Sequence, residues 1–337
     1  MFASSLARLA GSIGITQPRE LETVDREQGW AEIAEVGLLA LRQRDDGVPL
    51  ASGVEVLIAA EALGGALAPQ PFTGCGVMAT ELMALAQAPQ EWIDTSTSGS
   101  GRCGVMLSRD LSRLATIDDT EAVAWDVDGA DHVLALAPGV EGPRLARLSL
   151  KQGFVRADST DLTRKLMRRD GALLEPEIDG EVLDEAAFDR WLALALVALG
   201  GDITGALRSA HAAVVAFTKE RVQYGVPIGS FQAVQHMCAE MLVQIEGAHT
   251  INAYAAWAVE ALEPAEALFA ARTAKAYCSA VALPVAETVM QVYGGIGQTW
   301  EHIAHVVTRR VMMDAKVFGD EAEQLERIAD RRLTHNA

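Results

Sequence analysis

The sequence predicts an α+β chain, mainly α, in which a small β domain separates an N-terminal helical domain from a C-terminal four-helix bundle. Three observations predict it. Apolar residues recur at three- and four-residue spacing through both ends of the chain, the signature of amphipathic helices. The middle third breaks into short runs divided by turn residues. Aromatics make up only 5% of a chain that is 50% hydrophobic, with Ala and Leu abundant, a balance that suits close helix packing better than sheets. At 337 residues the chain is long enough for two or three domains.

Taken in order, residues 1–90 form the helical first domain. Glu20–Leu41 and Ala51–Ala66 carry helical spacing, Pro69, Pro71 and Gly74 interrupt it, and a further helical stretch runs to Ala86 before Pro89. Residues 91–183 form the middle domain, expected to be antiparallel. Ala122–Val127, His132–Leu136, Leu145–Leu150 and Gly153–Val155 have strand length, with Asp128-Gly129 and Asp179-Gly180 as turns. Residues 184–337 return to the helical period in Ala186–Lys219, Phe231–Ala261, Ala265–Val292, Thr299–Phe318 and a last short helix, Glu321–Leu333. The first of these is apolar on nearly every side between Trp191 and Leu199, which places it inside a bundle. Pro284 is expected to kink the third.

The charge balance excludes several partners. Lys and Arg number 28 against 46 Asp and Glu, a net charge of −18, so nucleic acid and anionic membranes are repelled. The longest apolar run is about half of a membrane span. Arg8 interrupts the apolar N-terminal stretch, which argues against a secretory signal. A soluble cytoplasmic protein is expected. Cys75, Cys103, Cys238 and Cys278 have no metal or redox spacing and read as incidental thiols.

Several motifs dissolve in context. Gly99-Ser100-Gly101-Arg102-Cys103-Gly104 is a literal GxGxxG, but a polar segment precedes it and no βαβ alternation follows, so it reads as a loop. Arg164, Lys165, Arg168 and Arg169 read as a solvated strand edge. His302 and His305 lie three apart beside Glu301, with no second ligand cluster, so no metal is expected.

Two segments are more specific. Arg221-Val222-Gln223-Tyr224-Gly225-Val226-Pro227-Ile228-Gly229-Ser230-Phe231-Gln232 is a tight loop between two long helices, presenting a guanidinium, an aromatic ring and an amide together. A guanidinium matches a pyrophosphate through its paired donors. Gln291-Val292-Tyr293-Gly294-Gly295-Ile296-Gly297 ends a helix on consecutive glycines, where backbone N–H groups can approach a ligand closely. Either alone reads equally as a helix–helix turn.

Together, in a helix–β–helix chain, they resemble the acyl-CoA dehydrogenases, from about Trp30 onward through Glu61-Ala62-Leu63-Gly64 and the whole bundle. The resemblance implies FAD as cofactor, an acyl-CoA thioester as substrate and an electron-transfer flavoprotein as acceptor. It also implies that Arg221, Tyr224, Gln232, Gln291, Gly294 and Gly295 hold the pyrophosphate and adenosine end of the FAD that a neighbouring subunit cradles.

The departures from that pattern matter as much. The family's base is a Glu at one of two places, which fall here on Phe318 and Ala195. Neither can accept a proton, so no catalytic residue is assigned. The segment that lines the flavin ring survives at best as Ser96–Gly101, and the N-terminal domain looks shortened. The elements serving a neighbour's flavin are kept while those for a reaction centre of the chain's own are missing. This resembles the small β subunit of α2β2 acyl-CoA dehydrogenases of steroid side-chain degradation, with a full-length α subunit as partner. Two alternatives are a self-sufficient homo-oligomer with Asp202 or, less well, Glu301 as a relocated base, and a non-enzymatic scaffold of the same fold.

Overall fold

The computed structural model describes residues 2–172 and 175–334. The N-terminal layer comprises α1 (Phe2–Ile13), α2 (Arg26–Glu35), α3 (Gly53–Gly65), α4 (Thr80–Leu85) and α5 (Gln90–Thr97). The single helix expected over Glu20–Leu41 is instead three pieces. A 3₁₀ turn occupies Pro18–Glu22, Asp25 then caps α2 by accepting from the Gln28 N–H at 2.9 Å, and Gly37 stops the helix with a left-handed φ of +80°. Local capping outweighs the apolar spacing here. Phe72–Ala79 is π-helical, wholly buried, and runs directly into α4.

The middle of the chain builds one seven-stranded sheet from β1 (Cys103–Leu107), β2 (Val123–Trp125), β3 (His132–Ala137), β4 (Arg144–Ser149), β5 (Phe154–Ala157), β6 (Leu166–Arg169) and β7 (Glu177–Asp179). Its spatial order is β5-β6-β2-β1-β3-β4-β7. The sheet is mixed rather than all antiparallel, because β1 pairs parallel with β3, Gly104 opposite Val133. β1 escaped the sequence reading because all five of its residues are buried, which removes the alternation that marks a half-exposed strand.

The C-terminal part comprises α6 (Glu185–Glu220), α7 (Gln232–Ala261), α8 (Pro264–Tyr293), α9 (Ala304–Lys316) and α10 (Glu321–Thr334). α6 is the axis of the molecule. It is buried on every side from Trp191 to Leu207 and packs against α3, α7, α8 and α9, as the apolar run predicts. Among the described residues α6 alone is long and apolar enough to match a bilayer, and 89% of its most apolar stretch lies inside the protein.

Of the four cations at 164–169, Lys165 and Arg168 are exposed, but the stretch is not a sheet edge and Arg164 is not solvated. β6 lies between β5 and β2, and Arg164 is 4% exposed, enclosed by Asp126, Asp161, Asp202 and Asp314. Carboxylates distant in sequence drew it inward. Of the other three, Lys165 pairs with Asp128 at 2.6 Å, Arg168 with Asp170 at 3.4 Å, and Arg169 donates to the Ile117 and Asp119 carbonyls.

Candidate functional site

Short connections make α6, α7 and α8 successive antiparallel neighbours, so the C-terminal ends of α6 and α8 and the start of α7 share one end of the bundle. The ring of Phe217 in the last turn of α6 meets that of Tyr293 at the end of α8, centroids 4.9 Å apart. Arg221 caps α6: its N–H donates to the Phe217 carbonyl, and its own carbonyl accepts from Ile228 N–H at 2.8 Å. That bond closes a two-stranded hairpin in which Val222 faces Pro227 and Gln223 faces Val226. Tyr224 and Gly225 form its tip with φ of +53° and +81°. The Tyr224 side chain stands 95% exposed, edge-on to Phe231 at 6.3 Å. Gln232 opens α7 and Gln291 lies in the last turn of α8, both on the surface.

Gly294 ends α8 at φ +68°, ψ −143°, a conformation that side chains resist. A Cβ built on Gly294 or Gly295 meets nothing within 4 Å. The backbone here is bare for reasons other than packing within this chain. All six predicted residues thus gather at one end of the bundle. The side chains of Arg221, Tyr224, Gln232 and Gln291 have no hydrogen-bond or ion-pair partner among the described residues. A cleft of about 560 Å³ opens beside them between Thr218, Lys219, Pro227, Ser230 and Gln235.

The two positions that the resemblance assigns to a base are sealed. Phe318 is 2% exposed and lies edge-on against Trp191, centroids 5.5 Å apart at 85°. Its N–H donates to the Leu111 carbonyl at 2.8 Å, and the Trp191 Nε1–H donates to the Met78 carbonyl at 2.8 Å. Ala195 is buried among other apolar residues of α6. Of the two alternative carboxylates, Asp202 is not placed for the role. Asp202 is buried with both oxygens bound to Arg310, at 2.7 Å each, and one also to Arg164 at 2.9 Å. Burial would raise its carboxyl, but the two guanidiniums outweigh that and hold it low. A carboxylate so committed cannot turn to a substrate. Glu301 is exposed on the turn beyond the glycines.

Ser96–Gly101 is occupied by internal contacts. The Gly99 carbonyl accepts from Trp30 Nε1–H at 3.2 Å, and Arg102 stacks over Trp30 at 4.8 Å while pairing with Glu27 at 2.6 Å. His302 lies tilted against Tyr293 with centroids 4.2 Å apart, His305 stacks on Trp300 at 4.6 Å, and no metal-binding group occurs among the described residues. Sequence reasoning missed the Phe217–Tyr293 contact. The only signal was an aromatic residue close before each loop.

Residues 191–333 match the family described as "Acyl-CoA dehydrogenase, C-terminal domain". The whole chain superimposes on the Tcur3481-Tcur3483 steroid ACAD with a TM-score of 0.82, at 24% identity over 99% of this chain and 98% of that one. The fold is that of the acyl-CoA dehydrogenases. The ChsE4-ChsE5 complex from Mycobacterium tuberculosis shares it with a TM-score of 0.78 at 22% identity, covering 99% and 97% of the two chains. Among curated relatives from Mycobacterium tuberculosis, acyl-CoA dehydrogenase IpdE2 is 28% identical over 97% of this chain and 93% of its own length. Acyl-CoA dehydrogenase FadE34 is 36% identical over 45% of this chain, which spans only 20% of that longer protein. The chain is thus similar in sequence and fold to acyl-CoA dehydrogenases, and FAD is the cofactor that this similarity implies.

The bundle end fits part of that cofactor. Arg221 offers paired donors for a pyrophosphate, the Gln232 and Gln291 amides suit a ribose or adenine edge, and the open space over Gly294 and Gly295 admits a ligand against bare backbone.

Proposed function

We propose that this chain is the partner subunit of a heteromeric, FAD-dependent acyl-CoA dehydrogenase, completing a flavin site whose ring and catalytic base belong to an α subunit. The observation that carries the reading is Phe318: the place for a base holds a phenyl ring packed against Trp191 and shut from solvent. Bound flavin supplies the hydride acceptor for α,β-dehydrogenation of the thioester. In this reading Arg221 neutralises the pyrophosphate, Gln232 and Gln291 orient the adenosine end, Gly294 and Gly295 let it approach, and Tyr224 covers it. No residue of this chain moves a proton.

The likeness to a steroid ACAD and to the ChsE4-ChsE5 complex supports a steroid side-chain CoA as substrate and an α2β2 assembly. An exposed apolar stripe of Val243, Tyr254, Trp257, Tyr277 and Leu283 along α7 and α8 gives such an assembly a face to cover. An electron-transfer flavoprotein is the proposed acceptor.

The test is expression of the chain alone and together with a full-length acyl-CoA dehydrogenase subunit from the same organism, followed by gel filtration and flavin absorbance. Yellow protein at heterotetramer size, formed only on co-expression, supports the reading. Flavin and dehydrogenation from the lone chain would refute it, and absence of flavin in both would leave a scaffold.

A further inference from the structure

Where the sheet meets α6 and α9, the protein buries six charged side chains that the proposed function does not use. Asp126 closes β2, Asp161 and Arg164 come from the loop before β6, Asp202 from the middle of α6, and Arg310 and Asp314 from α9. All are 4% exposed or less. Four carboxyl groups face two guanidiniums, an excess of negative charge in a place that water does not reach. Such an excess is costly unless protons remove it.

The hydrogen bonds show where a proton fits. Asp202 has donors on both oxygens from Arg310 and Arg164. Asp161 accepts from Thr163 N–H and its hydroxyl on one oxygen and from Arg164 on the other. Asp202, with a guanidinium nitrogen on each oxygen, is ionised. Asp314 accepts from one nitrogen of Arg164 at 2.5 Å through Oδ1 while another nitrogen of the same guanidinium holds Asp202 at 2.9 Å, which sets the two carboxyls side by side, and Asp314 Oδ2 has no donor among the described residues. Two ionised carboxyls in that relation repel, and a proton on Asp314 turns the repulsion into a bond.

We propose that Asp314 keeps its proton at neutral pH and donates it to Asp202, making the junction of sheet, α6 and α9 a proton-dependent clasp. The remaining facing groups agree. Arg164 and Arg310 are already shared among carboxylates. Lys275, reaching in from α8, is spent on the Ala315 and Gly319 carbonyls and on Ser279. Asp126 takes the Gly74 N–H on one oxygen and stands 3.8 Å from Arg164 with the other. Burial raises the Asp314 carboxyl well above the ordinary range, against the pull of Arg164, and raises Asp126 to about 6. An acid raised in the fold stabilises it fully only below its unfolded value near 3.8, and loses that contribution as pH climbs from there to its folded pKa. The clasp therefore loosens toward alkaline pH. α9 follows the glycine turn, so this loosening reaches the Gly294–Gly295 side of the proposed site.

The experiment compares Asp314→Asn with Asp202→Asn in the full chain by denaturant unfolding from pH 5.5 to 9, with infrared detection of protonated carboxyl groups. Asp314→Asn, which carries its N–H donor at every pH, is expected to unfold at or above the wild-type midpoint at pH 6, to flatten its decline toward pH 9, and to remove one protonated-carboxyl band. Asp202→Asn is expected to lower the midpoint at every pH or to prevent folding. If Asp314→Asn lowers the midpoint at pH 6 as much as Asp202→Asn does, or leaves the infrared spectrum unchanged, the proposal is overturned. Neither readout depends on flavin or on a partner, so failure here leaves the proposed function standing.

Discussion

Phe217 and Tyr293 touch at 4.9 Å, and this contact joins the last turns of the two helices that carry Arg221 and Gln291. Arg221 lies four residues beyond Phe217, one helical turn, and Gln291 two residues before Tyr293. The loops are thus registered to each other through one aromatic pair. Phe217→Ala is expected to cost roughly 2 kcal/mol of chain stability, since the ring is half-buried and aromatic pairing adds to its area term. The same change should lower flavin retention in the co-expressed complex. Guanidinium unfolding and flavin-to-protein absorbance ratios measure the two effects, and a flavin ratio equal to wild type would show that the loops hold their register without the pair.

The adjacent glycines at the end of α8 separate conformation from contact. Gly294 sits at φ +68°, where any Cβ is strained although the space is open. Gly294→Ala is expected to lose about 1–3 kcal/mol through backbone strain. Gly295 has neither a positive φ nor a neighbour for an added Cβ. Gly295→Ala is therefore expected to leave the unfolding curve of the lone chain unchanged while lowering flavin occupancy of the complex. Equal occupancy for Gly295→Ala and wild type would mean that no ligand approaches this backbone.

Much of this arrangement was legible before the fold was seen. The apolar run from Trp191 to Leu199 announced a central helix, and the Gly- and Pro-marked loops announced the bundle end, because both signals are local. What could not be read depends on contacts distant in sequence. Arg164 looked like one of four surface cations until Asp202, Asp314 and Asp126 surrounded it. Asp202 looked like a spare base until Arg310 took both its oxygens. β1 hid because a strand buried on both faces shows no alternation. The break between Leu21 and Trp30 was decided by Pro18 and Asp25, capping signals weaker than the apolar pattern around them.

Lys275 gives the chain an alkaline signature. Its ammonium is fully buried and caps the end of α9 through the Ala315 and Gly319 carbonyls, at 2.8 and 3.0 Å. Burial lowers its pKa to about 8. A lysine depressed in the fold binds its proton more weakly than in the unfolded chain. Its charge therefore costs stability below pH 8, and that cost is relieved between about pH 8 and the unfolded value near 10.5. The relief is of the order of 3 kcal/mol, opposite in sign to the loosening at Asp314. Lys275→Met removes the titration and takes the closest donor from two carbonyls, which keep only the 3.4 Å contacts from Ser279 and Gln324, so it should be less stable at pH 7 by about 1–3 kcal/mol. Unfolding free energies of the two proteins from pH 7 to 10 should diverge as pH rises, and parallel profiles would show that Lys275 does not titrate in that window.

Phe318 decides between a sealed and a reactive interior. Its ring fills the space beside Trp191, and its N–H ties α9 to the sheet layer through Leu111. Phe318→Ala should cost about 3–5 kcal/mol by opening a cavity in the core. In the proposed heteromer the rate per bound flavin should stay at the wild-type value, because the ring performs no chemistry. Phe318→Glu should cost more than the alanine, since the new carboxylate would be buried beside a lysine already committed to two carbonyls and a serine. The lone chain carrying Phe318→Glu is expected to show no thioester dehydrogenation with added FAD. Turnover by that variant would mean that a substrate reaches this interior, and the reading of the chain as a partner subunit would fall with it.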